Sequence, residues 1–288
     1  MVLVSLLVGT LGLLGYGIYY AWTEVDGILH CRKLPDRVTP AALGWEYESF
    51  TLEVGGLPVE GWFIPNRRDV TCILAPGYDG NRSAFLSEGF AHMLRALYGE
   101  GLALALFDPR GLGESGGELY ALGAFEDEDI IAVMEYLKGE KGIEGFVLLG
   151  VSAGASAVIR AAAAHEPKWE IRCVIADSPF ATPDWTRTYP RFWIEVFKLI
   201  ARLRLGKRVV ERLHVLDDAE DVRGILLMVG ERDMTTPPLN ALRLFQRAAA
   251  PKELWVVPGA GHSQAASLYP EEYDRHILRF IERCGLSP

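Results

Sequence analysis

Short, wholly apolar runs alternating with segments of helical period constrain this chain more than any other feature. "VTCILAP" (70–76), "LALALFD" (102–108), "FVLLG" (146–150), "CVIAD" (173–177), "ILLMVG" (225–230) and "LWVV" (254–257) carry no polar alternation. Helical spacing falls at 83–99, 124–138, 153–165, 238–249 and 271–283. A strand that is apolar on both sides needs cover on both faces, so the pattern predicts a mostly parallel sheet flanked by helices, an α/β fold. "YESFTLEV" (47–54) and "LPVEGWFIP" (57–65), joined at Gly55-Gly56, read as an antiparallel hairpin ahead of it. Ligands of such sheets gather at the carboxyl ends of the strands, and chemistry is sought there.

One strand stops abruptly. In "VLLGVSAGAS" (147–156) the residues Gly150-Val151-Ser152-Ala153-Gly154 fit G-x-S-x-G, a sharp strand-to-helix turn that lifts a serine hydroxyl above the sheet edge. Both glycines have a steric purpose, because a side chain at either place would clash where strand and helix approach. Ser152 is the candidate nucleophile, and it needs a base. His262, in the Gly-rich loop of "LWVVPGAGHS", follows the last strand; the other histidines lie on predicted helices or, for His30, far from a strand end. The base needs a carboxylate, which "LLMVGERDMTTPP" supplies as Asp233. Asp177 also ends a strand and is its rival, while Glu231 has a weaker claim. The chain order Ser, Asp, His favours Asp233. Backbone donors for an oxyanion are expected from Ala153 and, in "PGYDGNR", from Tyr78.

Other features bound the partners. A net charge of -9 leaves no basic face for nucleic acid. The four cysteines show no CxxC and no ligand spacing, so neither disulfide nor metal is expected, and no cofactor. "GLGESG" (111–116) matches a dinucleotide fingerprint literally, but no helix opens at its third glycine. Residues 2–21 carry no charge and match the ~20 residues that span a bilayer. They lack a basic n-region and end in Tyr19, Tyr20 and Trp22, which favours a retained single-pass N-terminal anchor over a cleaved signal peptide and implies a membrane location. The expected division is an anchor at 1–23 and one catalytic domain at 24–288. Within that domain, 178–222 breaks the strand–helix rhythm and carries Trp185, Tyr189, Phe192, Trp193 and Phe197, which suggests an inserted helical lid whose aromatics line a substrate pocket.

Taken in order, "PGYDGNR", "FDPRGLGESGG", "GVSAG", "DSPF", "GERD" and "GAGH" resemble the motifs of the α/β-hydrolases over residues 45–288. Pro76-Gly77 stands where many members carry His-Gly. The resemblance implies Ser152 as nucleophile, Asp233 as acid, His262 as base, the N–H groups of Tyr78 and Ala153 as oxyanion hole, and "DPRGLGESGG" as support for the floor of the site. The expected activity is hydrolysis of a small-molecule ester with an apolar acyl group through an acyl-enzyme. Peptidase, amidase or acyltransferase chemistry on the same residues, or a non-catalytic membrane-anchored binding protein on this fold, are the alternatives.

Overall fold

The computed structural model describes residues 2–87, 89–167, 170–182 and 190–286. The strands are β1 (Glu48–Val54), β2 (Leu57–Ile64), β3 (Val70–Ala75), β4 (Ala103–Phe107), β5 (Gly145–Val151), β6 (Ile171–Asp177), β7 (Ile225–Gly230) and β8 (Lys252–Val257). They form one sheet in the order β1-β2-β4-β3-β5-β6-β7-β8. β2 runs antiparallel to both its neighbours, β1 and β4, and every pairing from β4 through β3 to β8 is parallel. The hairpin between β1 and β2 closes on Gly55 and Gly56, both at positive φ, as a tight two-residue turn requires.

The helices are α1 (Val2–Leu29), α2 (Ala91–Gly99), α3 (Glu126–Lys141), α4 (Ala153–Ala164), α5 (Arg191–Leu205), α6 (Val209–Arg212), α7 (Pro238–Arg247), α8 (Ala265–Leu268) and α9 (Pro270–Arg283). The expected helix at 83–99 is a 3₁₀ turn, Arg82–Leu86, followed by α2. Successive strand residues feed opposite cores: Ile73 and Leu148 join α3 and α4 on one face, while Cys72, Leu74, Val147 and Leu149 join α2 and α9 on the other. Every residue of β3, β4, β5 and β7 is buried, which is why those strands read as unbroken apolar runs.

The N-terminal expectation is overturned. Among the described residues no helix is long and apolar enough to cross a membrane. A single helix of 28 residues, α1, runs through the supposed boundary at residue 23. Its second half turns Ala21, Val25 and Leu29 inward at a spacing of four, and all three are buried in the core that α3 and α4 share. Asp26 is bound to Arg204 of α5 at 2.7 Å, and Tyr20 packs edge-on against Trp193 with ring centroids 6.0 Å apart. The single-pass anchor, and the membrane location and membrane partner inferred from it, do not hold.

The stretch 178–222 does contain helices, α5 and α6 and a 3₁₀ turn at Asp218–Asp221. Trp185 and Tyr189 lie outside the described residues.

Candidate active site

The parallel register brings the loops after β3, β5, β6, β7 and β8 to one edge. Ala75 pairs with Gly150, Val151 with Asp177, and Gly230 with Val257, so these strands end almost level. Ser152 follows β5 directly. It occupies φ 56° and ψ -119°, in the left-handed half of the map that a non-glycine residue avoids unless its surroundings hold it there. Those surroundings are tight: a Cβ on Gly150 would meet the Gly154 carbonyl, and one on Gly154 would meet the carbonyls of Ala75 and Pro76. The Ser152 N–H is anchored to the Asp177 carbonyl at 2.8 Å.

The three side chains singled out for chemistry meet in line. Ser152 Oγ lies 2.9 Å from His262 Nε2, and His262 Nδ1 lies 2.8 Å from Asp233 Oδ2. This geometry suits an imidazole that donates from Nδ1 to the carboxylate and accepts a hydrogen bond from the serine hydroxyl at Nε2. Asp233 is 2 % exposed, and its Oδ1 accepts the N–H groups of Thr235 and Thr236 at 2.9 and 2.8 Å. The Thr236 hydroxyl, which sequence reasoning did not single out, sits 2.9 Å from Asp233 Oδ2, 3.0 Å from the Ser178 carbonyl and 3.2 Å from His262 Nδ1. It bridges the Asp233 carboxylate and the imidazole; it lies three residues beyond the aspartate in "ERDMTT", and only that short spacing hinted at it.

Asp177, the rival acid, stands apart from this line. Its carboxylate accepts from Ser178 Oγ at 2.9 Å and from the Tyr273 hydroxyl at 3.2 Å, with no bond to His262. Burial pushes it up to about 6, against the pull of those two hydroxyls and of His262.

Of the two expected oxyanion donors, Ala153 opens α4, so its N–H has no partner within the helix. The loop after β3 lies against the serine: a Cβ on Gly77 would come within 2.9 Å of the Val151 carbonyl and 3.0 Å of Ser152 Cβ. Tyr78 follows it, with its hydroxyl 3.5 Å from the Gly27 carbonyl of α1. The "DPRGLGESGG" segment wraps Asp108, a fully buried carboxylate that receives the N–H groups of Arg82 at 2.6 Å and Glu114 at 2.9 Å. Gly113, at φ 48°, lies so close to that carboxylate that no side chain fits. The segment is thus a structural loop around a buried charge and carries no dinucleotide helix.

Ser152 and His262 open on a cavity of about 760 Å³, within the ~300–1,000 Å³ usual for small-molecule sites. Trp193, Ile194 and Phe197 of α5, Leu122, and Phe180 give it apolar walls. Phe192 does not join them; it is 71 % exposed and touches Trp193 edge-on from outside. A further wall is α1, through Tyr20, Glu24, Val25 and Ile28. Sequence reasoning assigned that helix elsewhere. The signal that could have found it is the apolar spacing Ala21, Val25, Ile28, Leu29, which continues the helix past Trp22 with Glu24 and Asp26 between. Among the described residues no cluster of His, Cys, Asp or Glu could hold a metal ion.

Comparison with known proteins agrees with this architecture. The esterase Pf2001 of Pyrococcus furiosus superposes with a TM-score of 0.73 at 26% identity, covering 88% of this chain and 99% of that one. Among curated sequences, the uncharacterized protein Rv2307c of Mycobacterium tuberculosis is 25% identical over 77% of this chain and 73% of its own length. The uncharacterized protein YqkD of Bacillus subtilis is 25% identical over 79% and 76%. The family model described as "Peptidase_S9: Prolyl oligopeptidase family" matches residues 88–286. That match takes in more than half of the chain, including Ser152, Asp233 and His262, and it makes this chain a member of the prolyl oligopeptidase family, a serine hydrolase on the α/β-hydrolase fold.

Proposed function

We propose that this chain hydrolyses carboxylic esters with apolar acyl groups, using Ser152 as nucleophile, His262 as base and Asp233 as the acid that orients it. The observation that carries the reading is the unbroken hydrogen-bonded line from Ser152 Oγ through His262 to Asp233 at the floor of a largely apolar cavity. In the first half-reaction Ser152 Oγ bonds to the ester carbonyl carbon while its proton passes to His262 Nε2. The carbonyl oxygen becomes an oxyanion held by the N–H groups of Ala153 and Tyr78, worth ~3–4 kcal/mol per donor in enzymes of this kind. Asp233 stabilises the imidazolium without taking its proton. Collapse expels the alkoxide, which receives that proton and leaves as the alcohol. Water then repeats the sequence on the acyl-serine and releases the carboxylic acid.

Similarity to an esterase supports the ester over the amide, and the family's peptidase name keeps the amide as an arm of the test. The helices of 178–222 together with α1 act as the lid over the serine. Each further CH₂ buried by a substrate contributes up to ~0.8 kcal/mol, so a few extra carbons raise kcat/KM about tenfold. The decisive measurement takes acetyl, hexanoyl and decanoyl p-nitrophenyl esters, with amide analogues alongside, on the wild-type chain and on Ser152→Ala. The expected result is a tenfold or greater preference for acyl groups of roughly six to ten carbons, with fluorophosphonate labelling and turnover abolished in Ser152→Ala. A flat or falling series removes the apolar acyl pocket. More than a few per cent of activity in a folded Ser152→Ala chain removes the nucleophile.

A further inference from the structure

Asp177 is a carboxylate in an expensive place. It ends β6 with 0 % exposure, and its described side-chain partners are two hydroxyls, Ser178 Oγ and the Tyr273 phenol of α9. A buried charge without a cation beside it costs stability; an asparagine would avoid that charge, but its single amide oxygen could accept from only one of the two hydroxyls. The chain keeps the charge at the point where three loops of the site converge. The Asp177 carbonyl holds the Ser152 N–H. Its carboxylate accepts a hydrogen bond from the Ser178 hydroxyl, and that same hydroxyl oxygen accepts the N–H of Ser263, the residue after His262, at 3.1 Å. Ser178 and Ser263 both sit at positive φ, 58° and 53°, so one hydroxyl ties together two strained turns.

From this geometry we infer that Asp177 is a positioning residue for His262, setting the base's loop through Ser178 and stabilising the imidazolium by its own charge. The inference rests on the proposed role of His262 as base. The charged or titratable groups that face Asp177 are His262, whose positive form it favours, Asp233, whose like charge it opposes, and the phenol of Tyr273, which burial and Asp177 together hold well above its ordinary value. Near neutral pH the Asp177 carboxyl is ionised, since burial raises it only to about 6.

The charge is tested by Asp177→Asn, which retains an acceptor for Ser178. The readout is the pH profile of kcat/KM for p-nitrophenyl hexanoate, whose acid limb reports the free enzyme's essential base. Removing a unit charge at an effective dielectric of about 40, between the protein and water values because the imidazole borders an open cavity, should move that limb to lower pH by about half a unit to one unit. The neutral-pH plateau should fall about three- to tenfold, the same factor, because the charge acts on the imidazolium in both cases. A packing defect would lower the plateau and leave the limb in place. Tyr273→Phe keeps the carboxyl but removes one of its two donors, so it moves the limb the same way by a smaller amount and decides the matter should Asp177→Asn fail to fold. An unmoved limb in a folded variant overturns the inference. Failure of the underlying reading looks different: Ser152→Ala then retains hydrolysis, and the role of Asp177 falls with it.

Discussion

Ser152, Asp233 and His262 lie far apart in the chain, yet each follows a strand end, and that is why residue types and order alone could select them. The glycines at 150 and 154 were legible for a related reason: the steric demand that makes them necessary is local to the turn. Asp233 and Asp177 were harder to separate, since both end strands. The difference is one of side-chain direction, with Asp233 Oδ2 at 2.8 Å from the imidazole and Asp177 bonded to hydroxyls behind it. Asp233→Asn should therefore cost about 10³ to 10⁴ in rate through the wrong imidazole tautomer, against less than about tenfold for Asp177→Asn. Steady-state kinetics on the two variants checks the ranking, and the reverse order would move the acid to Asp177.

At the scale of elements, the strands were readable because burial on both faces leaves them no polar positions. Helix α1 was misread because, in the sequence alone, a window of ~20 uncharged residues reads by composition as a span, and composition outweighs context there. What sets it apart from a span lies in the next turns, where Val25 and Leu29 are 3% and 1% exposed and Asp26 meets Arg204. The partnership between α1 and α5 joins residues more than 170 positions apart, and nothing in local pattern announces it. It has a measurable consequence. Val25 lines the cavity, so Val25→Trp should shorten the usable acyl chain. The expected result is a loss of at least about tenfold in kcat/KM for the decanoyl ester, with acetyl turnover within about threefold of wild type, because only the longer chain reaches the added bulk. An unchanged chain-length series would take α1 out of the pocket.

For the whole molecule, carboxyls raised by burial shape the response to pH, Asp108, Glu126, Asp129 and Asp177 foremost. Burial pushes Asp108 and Asp129 up to about 6, Glu126 to about 7 and Asp177 to about 6. Each keeps its proton in the folded chain at pH values where the unfolded chain has released it. Between about pH 4 and 7 folding thus takes up protons, and the stability these groups supply is lost as pH rises through their folded values. The net charge of -9 at pH 7 adds self-repulsion of the same sign. Glu170, held below its ordinary value by Lys138 and His165 despite burial, works the other way. Thermal unfolding followed from pH 5 to pH 8 should show Tm falling by several degrees; a rising Tm would mean that these carboxyls are charged and better paired than their burial implies.

The wall that α1 contributes also separates two kinds of information along the chain. In the proposed mechanism bond cleavage depends on positions 77–78, 152–153, 233 and 262, all set by the sheet, whereas one side of the proposed substrate cavity is written in positions 20–28, ahead of the first strand. Exchanging that opening helix between relatives would reshape what enters while leaving the reacting atoms where they are. Conversely, a protein fragment begun at residue 24 would lose Tyr20 and most of the helix, and an assay on it would measure the chemistry with part of the cavity wall missing.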